Sequence, residues 1–194
     1  MKFKNILIIH AAALVLTGTT YGAHTYKADP DHASIGFKVS HMVISKVKGH
    51  FGAFEGTLML DDNDDLMKAE AVIDVSSIDT ANEKRDNHLK SPDFLDAAAY
   101  PSISFKSKGV EKKGSVYVVT ADITIHGVTR EVEMPVTIRG PVEDPWGNTK
   151  LGYEASLTID RTDYGLTWNK LLETGGLVVG TEVEITVDVE FAKQ

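Results

Sequence analysis

The sequence contains no cysteine, so no disulfide can close a loop, and neither a thiolate zinc site nor a nucleophilic thiol is available. Beyond its first two dozen residues, no stretch approaches the roughly 18 apolar residues that a membrane-spanning helix requires. Basic clusters are missing too: the formal net charge is −8, which argues against a sequence-independent nucleic-acid or anionic-membrane surface. There is no Gly-x-Ser-x-Gly elbow, and no serine near His88 (Ser76, Ser77 or Ser91) stands in a recognisable triad context. Seven histidines are present, and His24, His32, His41 and His50 recur at intervals of eight or nine residues. None forms the His-x-x-x-His pair of a helical zinc site, and their recurrence is that of residues near strand ends. No metal and no cofactor is called for.

The amino end, MKFKNILIIHAAALVLTGTTYGA, has a positive start at Lys2 and Lys4, an apolar run broken by His10, and then small residues. This is the layout of a secretory signal peptide over residues 1–23, cleaved after Gly22 or Ala23. Its removal takes two lysines and no acids from the net charge of −8, leaving −10, and reduces 194 residues by 23 to 171. That length suits a single domain, residues 24–194, with a substantial core. The expected location is the periplasm or the cell exterior, with no stable membrane insertion.

Period-two alternation dominates the remainder, as expected of strands with one buried face. Ile35, Phe37 and Val39 alternate with Ser34, Lys38 and Ser40; Val183, Ile185, Val187, Val189 and Phe191 alternate with Glu182, Glu184, Thr186, Asp188 and Glu190. Segments near 103–106, 128–139 and 153–160 repeat the pattern, and 49–60 and 68–76 follow it less strictly. Short turns such as DDNDD (61–65), Lys112-Lys113-Gly114 and His126-Gly127 separate successive strands, which implies an antiparallel meander. About eight such strands in one domain predict an all-β fold, an eight-stranded antiparallel barrel whose closure removes exposed edges.

Two stretches break the alternation. TANEKRDNHLKSPDFLD (80–96) holds Glu83, Arg85, Asp86, His88, Lys90, Asp93 and Asp96, the residue types of an acid-base or metal centre. The same charges suit a short helical segment near 81–96, capped by Asp79 or Thr80 and braced by pairs such as Asp86 with Lys90. On that reading Leu89, Phe94 and Leu95 are its apolar side. The second stretch, YGLTWNKLLETGGLVVG (164–180), is a glycine-rich loop that also carries leucines and Trp168, a lid-like composition beside a barrel.

Several ordered blocks resemble the YceI family of exported, lipocalin-like, polyisoprenoid-binding proteins. They are HTYKADPDHASIGFKVSH, VKGHFGAFEGTLMLDD, SIDTANEKRDNHLKSPDFLDAAAYPSISF, TIHGVTREV, RTDYGLTWN and GGLVVGTEVEITVDVE. The resemblance spans the mature chain and implies a lipocalin-like barrel with a tunnel for a long lipophilic molecule, isoprenoid or quinone-like. The expected function is that of an exported, non-catalytic carrier or sequestering protein for such an amphiphilic lipid, a fatty amide or acid included. A periplasmic hydrolase or metal-binding protein using Asp86 and His88 is the alternative.

For the tunnel wall, the strands offer Phe37, Val39, Phe51, Phe54, Ile103, Phe105 and Tyr153. The irregular stretches add Leu89, Phe94, Leu95, Tyr100, Leu166, Trp168 and Leu171. Asp86, His88, Arg161 and Asn169 are the polar candidates for a head group. The expected partner is therefore a lipophilic, isoprenoid-like small molecule and not a nucleic acid. A homodimer is left open, because an outward apolar patch reads like any loose strand face.

Overall fold

Alternation reaches the three-dimensional structure most directly at Val116–Ile125, where every second residue (Tyr117, Val119, Ala121, Ile123, Ile125) is buried and every other one is partly exposed. This strand is one of ten in the computed structural model, which describes residues 22–194 apart from 172 and 174. The strands are β1 (His24–His41), β2 (Ser45–Phe51), β3 (Phe54–Leu60), β4 (Leu66–Asp74), β5 (Ile78–Asp79), β6 (Ser102–Lys113), β7 (Val116–Ile125), β8 (Val128–Glu143), β9 (Thr149–Asp160) and β10 (Val179–Lys193). One helix, α1 (Glu83–Leu89), stands between β5 and β6. Residues 1–21 of the leader expected from the sequence lie outside the described residues.

All pairings are antiparallel, in the order β10-β9-β8-β7-β6-β4-β3-β1, and β1 pairs back onto β10. The barrel therefore closes on eight strands, as the sequence predicts. β2 and β3 share one position in it. β2 pairs with the second half of β1 (Ile35↔Phe51 to His41↔Ser45) and β3 with the first (His24↔Leu60 to Lys27↔Thr57). They are one strand broken at Gly52-Ala53, which is why alternation over 49–60 is imperfect. The register of β1 on β10 shifts between Ala28 and Ala33, where Asp29-Pro30-Asp31-His32 bulges outward from the ladder.

β4 pairs with β6 only up to Asp74↔Ser102. Beyond it the chain leaves the barrel wall through a 3-10 turn at Val75–Ser77, touches β2 through the two residues of β5, and enters α1. The helix is capped by Asn82, whose side chain accepts from the Arg85 N–H at 3.0 Å, and not by Asp79 or Thr80. Asp79 is spent on the Ala81 N–H, and Ala81 has a positive φ of 58°, so the chain turns once more before the helix starts. The wall that strands leave open beside β2 is thus covered by α1 and the turns that follow it.

Packing divides into two clusters. One, around Tyr26, Leu58, Leu60, Val119, Val136 and Leu151, fills the end of the barrel away from α1. The other, around Val75, Ile78, Leu95, Ile125, Tyr164 and Leu166, sits under the cover. The middle of the barrel is not filled.

Candidate functional site

The unfilled space comprises two cavities of about 130 Å³ each. Phe37, Phe51, Ile103, Ile125 and Ile185 line both, so the two adjoin as an inner and an outer chamber. The Phe37 and Phe51 rings, 5.9 Å apart, stand where the chambers meet. Room in the inner chamber comes from small residues: Gly36, Gly56, Ala69 and Ala71 occupy wall positions facing Phe54, Phe105 and Phe191. The ring of Phe37 lies over the backbone of Gly49, where any Cβ would sit 2.4 Å from it. A side chain at Gly49 would therefore push Phe37 into the chambers.

The outer chamber is walled by Val39, Val179 and Val183 from the strands and by Leu89, Phe94, Leu95 and Leu166 from the two irregular stretches. Its lining, like that of the inner chamber, is almost wholly carbon. An apolar cavity of this kind stays dry, because a water inside it would find no hydrogen-bond partners; one of about 150 Å³ takes up benzene instead. Tyr153 brings a phenol to the inner wall, and burial raises its pKa above the ordinary value, so the group remains neutral.

Most wall residues expected from the sequence are brought together here. Phe37, Val39, Phe51, Phe54, Leu89, Phe94, Leu95, Ile103, Phe105, Tyr153 and Leu166 line one chamber or both. The remainder stand elsewhere, each for a visible reason. Trp168 lies behind the wall, its ring 5.0 Å from Phe94 and 4.9 Å from His88. Tyr100 packs against His126 and over Gly127 at the β7–β8 turn, where a Cβ would come within 2.5 Å of its ring. Leu171 is exposed.

The four polar candidates are engaged by the protein itself. Asp86 is buried and accepts from the Thr80 N–H at 3.0 Å and the Thr80 hydroxyl at 2.5 Å, and its expected pairing with Lys90 is replaced by this clamp. His88 Nε2 meets Asp93 at 2.9 Å. Arg161, only 4% exposed, lies in the outer wall and donates to three carbonyls: Gly180 at 2.8 Å, Val179 at 3.3 Å and Leu166. Asn169 donates to the Val179 carbonyl at 2.6 Å and accepts from its N–H at 3.1 Å. Arg161 and Asn169 therefore pin the 165–170 segment to the start of β10, and Asp86 holds α1 to the residue before its turn.

The wall residues missed by sequence reasoning are mostly β-branched and small: Ile35, Ile73, Ile123, Ile185 and Val187, with Ala69. Their inward parity was legible in the alternation, but whether an inward residue meets a neighbour or empty space depends on the residue across the barrel. Among the described residues, three potential metal-ligand atoms converge only at Asp29, His32 and Glu190, on the β1 bulge and β10. Lys150 already occupies that position as the cation, 2.8 Å from Asp29 and 3.2 Å from Glu190. Its hydrogen bond holds the Asp29 carboxyl at about 2, well below the usual range.

Comparison with known proteins agrees with this architecture. The chain is 34% identical over 194 residues to Protein YceI of Salmonella newport (strain SL254), covering 98% of each. Burkholderia cenocepacia BcnA superposes with a TM-score of 0.73 at 23% identity, over 84% of this chain and 98% of that one. A domain from Saccharophagus degradans, described as polyisoprenoid binding, superposes with a TM-score of 0.65 at 16% identity, over 90% and 100%. Both solved structures share the fold. The model of the YceI-like domain matches residues 26–191, and with that match the closed barrel and its apolar interior are accounted for: this chain belongs to the YceI-like family.

Proposed function

We propose that the protein is an exported, non-catalytic carrier that holds a long-chain amphiphilic lipid, isoprenoid or quinone-like, in the barrel tunnel. The observation that carries this reading is a pair of adjoining, carbon-lined chambers retained in a domain without disulfides. Unfilled space costs about 24 cal/mol per Å³, so each chamber of about 130 Å³ lowers stability by roughly 3 kcal/mol. Inward alanine and glycine at 36, 56, 69 and 71 maintain that cost where larger residues would remove it.

An apolar chain in the chambers gains roughly 0.8 kcal/mol for each buried methylene and leaves its polar end near the cover. The family membership and the polyisoprenoid-binding description of the Saccharophagus degradans domain support this ligand class. The leader-like residues 1–23 support export. Against the hydrolase or metal reading, Asp86 and His88 have their polar atoms turned to Thr80 and Asp93.

Organic extraction and mass spectrometry of protein recovered from the exported fraction, with native mass spectrometry of the intact complex, tests the reading. A long-chain lipid at up to one per protein is expected. Protein of apo mass that also refuses a long-chain isoprenoid probe would sink it.

A further inference from the structure

The barrel end that carries the cover also carries an apolar tip. The β1–β2 turn is Met42-Val43-Ile44, and Val43 and Ile44 are 74% and 84% exposed. Met42 and Val43 hold φ values of 51° and 65°, a left-handed geometry suited to glycine, asparagine or aspartate and poorly suited to a β-branched residue. Neither turn geometry nor core packing accounts for valine and isoleucine here.

The tip is continuous with a second apolar surface. The Met42 N–H donates to the Val178 carbonyl at 2.8 Å, and the adjacent Leu177 pairs with Leu171 across its loop, both leucines being exposed. This surface lies beyond the outer chamber, whose wall includes Val39 and Val179, and Val179 pairs with His41 next to the turn. Along the chain only Ser40, His41 and Met42 separate Val39 from Val43.

Charge sets the partner. The whole chain has a net charge of −8, yet residues 38–48 carry three lysines and no acid. Glu184 answers Lys38 and Lys46; Lys48 and Lys170 are in no ion pair among the described residues, and with Glu173 on the 171–177 loop the four lysines face two acids, a net positive balance. An exposed apolar tip rimmed by lysines is the pattern of an interfacial membrane contact. A two-fold contact with a second copy would set the same lysine rim against itself.

We propose that this tip is a membrane-docking surface: it rests on a bilayer containing anionic lipid, with the outer chamber turned toward the membrane. Ligand then passes between bilayer and tunnel with little exposure to water. The transfer step rests on the carrier reading; the docking step does not.

The test is co-sedimentation of the processed chain with vesicles of equal parts phosphatidylcholine and phosphatidylglycerol, comparing wild type with the double variant Val43→Asn, Ile44→Asp. Asparagine suits the left-handed φ, so the variant is expected to melt like wild type. Partitioning should fall by roughly tenfold or more, and uptake of a fluorescent long-chain probe from vesicles should slow in step. Uptake of the same probe from dilute solution should not change.

Equal sedimentation of the two proteins, or no sedimentation of wild type, overturns the proposal. So does a change in self-association, seen by analytical ultracentrifugation, with vesicle binding intact. Failure of wild type to take up the probe from solution would instead overturn the carrier reading and leave docking to be judged by sedimentation alone.

Discussion

Plugging the inner chamber is the most direct perturbation of the tunnel. Ala71 lines that chamber and not the outer one, on β4 opposite Phe105 of β6 and Gly56 of β3. A cavity of about 150 Å³ holds benzene, so the inner chamber, at about 130 Å³, holds about six carbons. At roughly 0.8 kcal/mol per buried methylene, those carbons contribute about 5 kcal/mol gross. That is more than three decades of affinity at about 1.4 kcal/mol per tenfold. Part is already offset by the entropy of ordering the chain, so Ala71→Trp is expected to weaken binding of a long-chain isoprenoid by about 100-fold. Ala71→Leu, which fills less, should weaken it by about tenfold. The assay is displacement of a fluorescent long-chain probe, read beside thermal melting. Filling existing space should leave the melting temperature unchanged or raise it, whereas overpacking would lower it. A folded Ala71→Trp protein that binds as tightly as wild type would refute the claim that ligand occupies the inner chamber.

Other expectations concern the ends and the cover. Affinity across a homologous series of lipids should rise with chain length to about a dozen carbons, the capacity of the two chambers, and then level off; isothermal titration with probes of graded length checks this. Trp168, packed on Phe94 behind the outer wall, should change its fluorescence when a long-chain isoprenoid enters, and an unchanged spectrum under saturating ligand would count against movement of that wall. Arg161→Met should lower unfolding stability by about 3 kcal/mol, because three carbonyls lose their donor, as measured by urea denaturation. Asp29 has a folded pKa of about 2 through its hydrogen bond to Lys150. Its stabilising effect is therefore full above the unfolded carboxylate pKa near 4 and disappears as pH falls from 4 toward 2. Asp29→Asn should flatten that part of the acid stability curve.

The strands were legible wherever one face meets the interior and the other meets water, as in β9 and β10. Reading was weaker where backbone geometry interrupts the period. The β2–β3 break at Gly52-Ala53 and the bulge at 29–32 leave hydrophobic parity intact locally and shift it globally, which composition alone does not reveal. The helix near 81–96 was foreseen, but its cap was not, because Asp79, Thr80 and Asn82 are all competent caps and the positive φ of Ala81 chose among them. For the tunnel, sequence supplied the inward faces and not their emptiness. Gly36, Gly56, Ala69 and Ala71 come from three different strands, and only the register between those strands puts them around one space. The charged residues of 80–96 drew attention because their types suit catalysis; the fold spends Asp86 on Thr80 and His88 on Asp93. Trp168 failed as a wall residue for a related reason, since Phe94 fills the position in front of it.

Closure of the barrel by its first and last strands has a temporal consequence. β1 finds its main partner in β10, more than a hundred residues later, through a ladder running from Tyr26↔Lys193 to His41↔Val179. Contacts this distant in sequence form late and slowly. Val183, Ile185 and Val187, which wall the chambers, arrive only with that last strand. A chain that has not yet placed β10 therefore has neither closed chambers nor an interior that a lipid could enter. On the carrier reading, binding competence appears in one step, when the final strand docks onto β1.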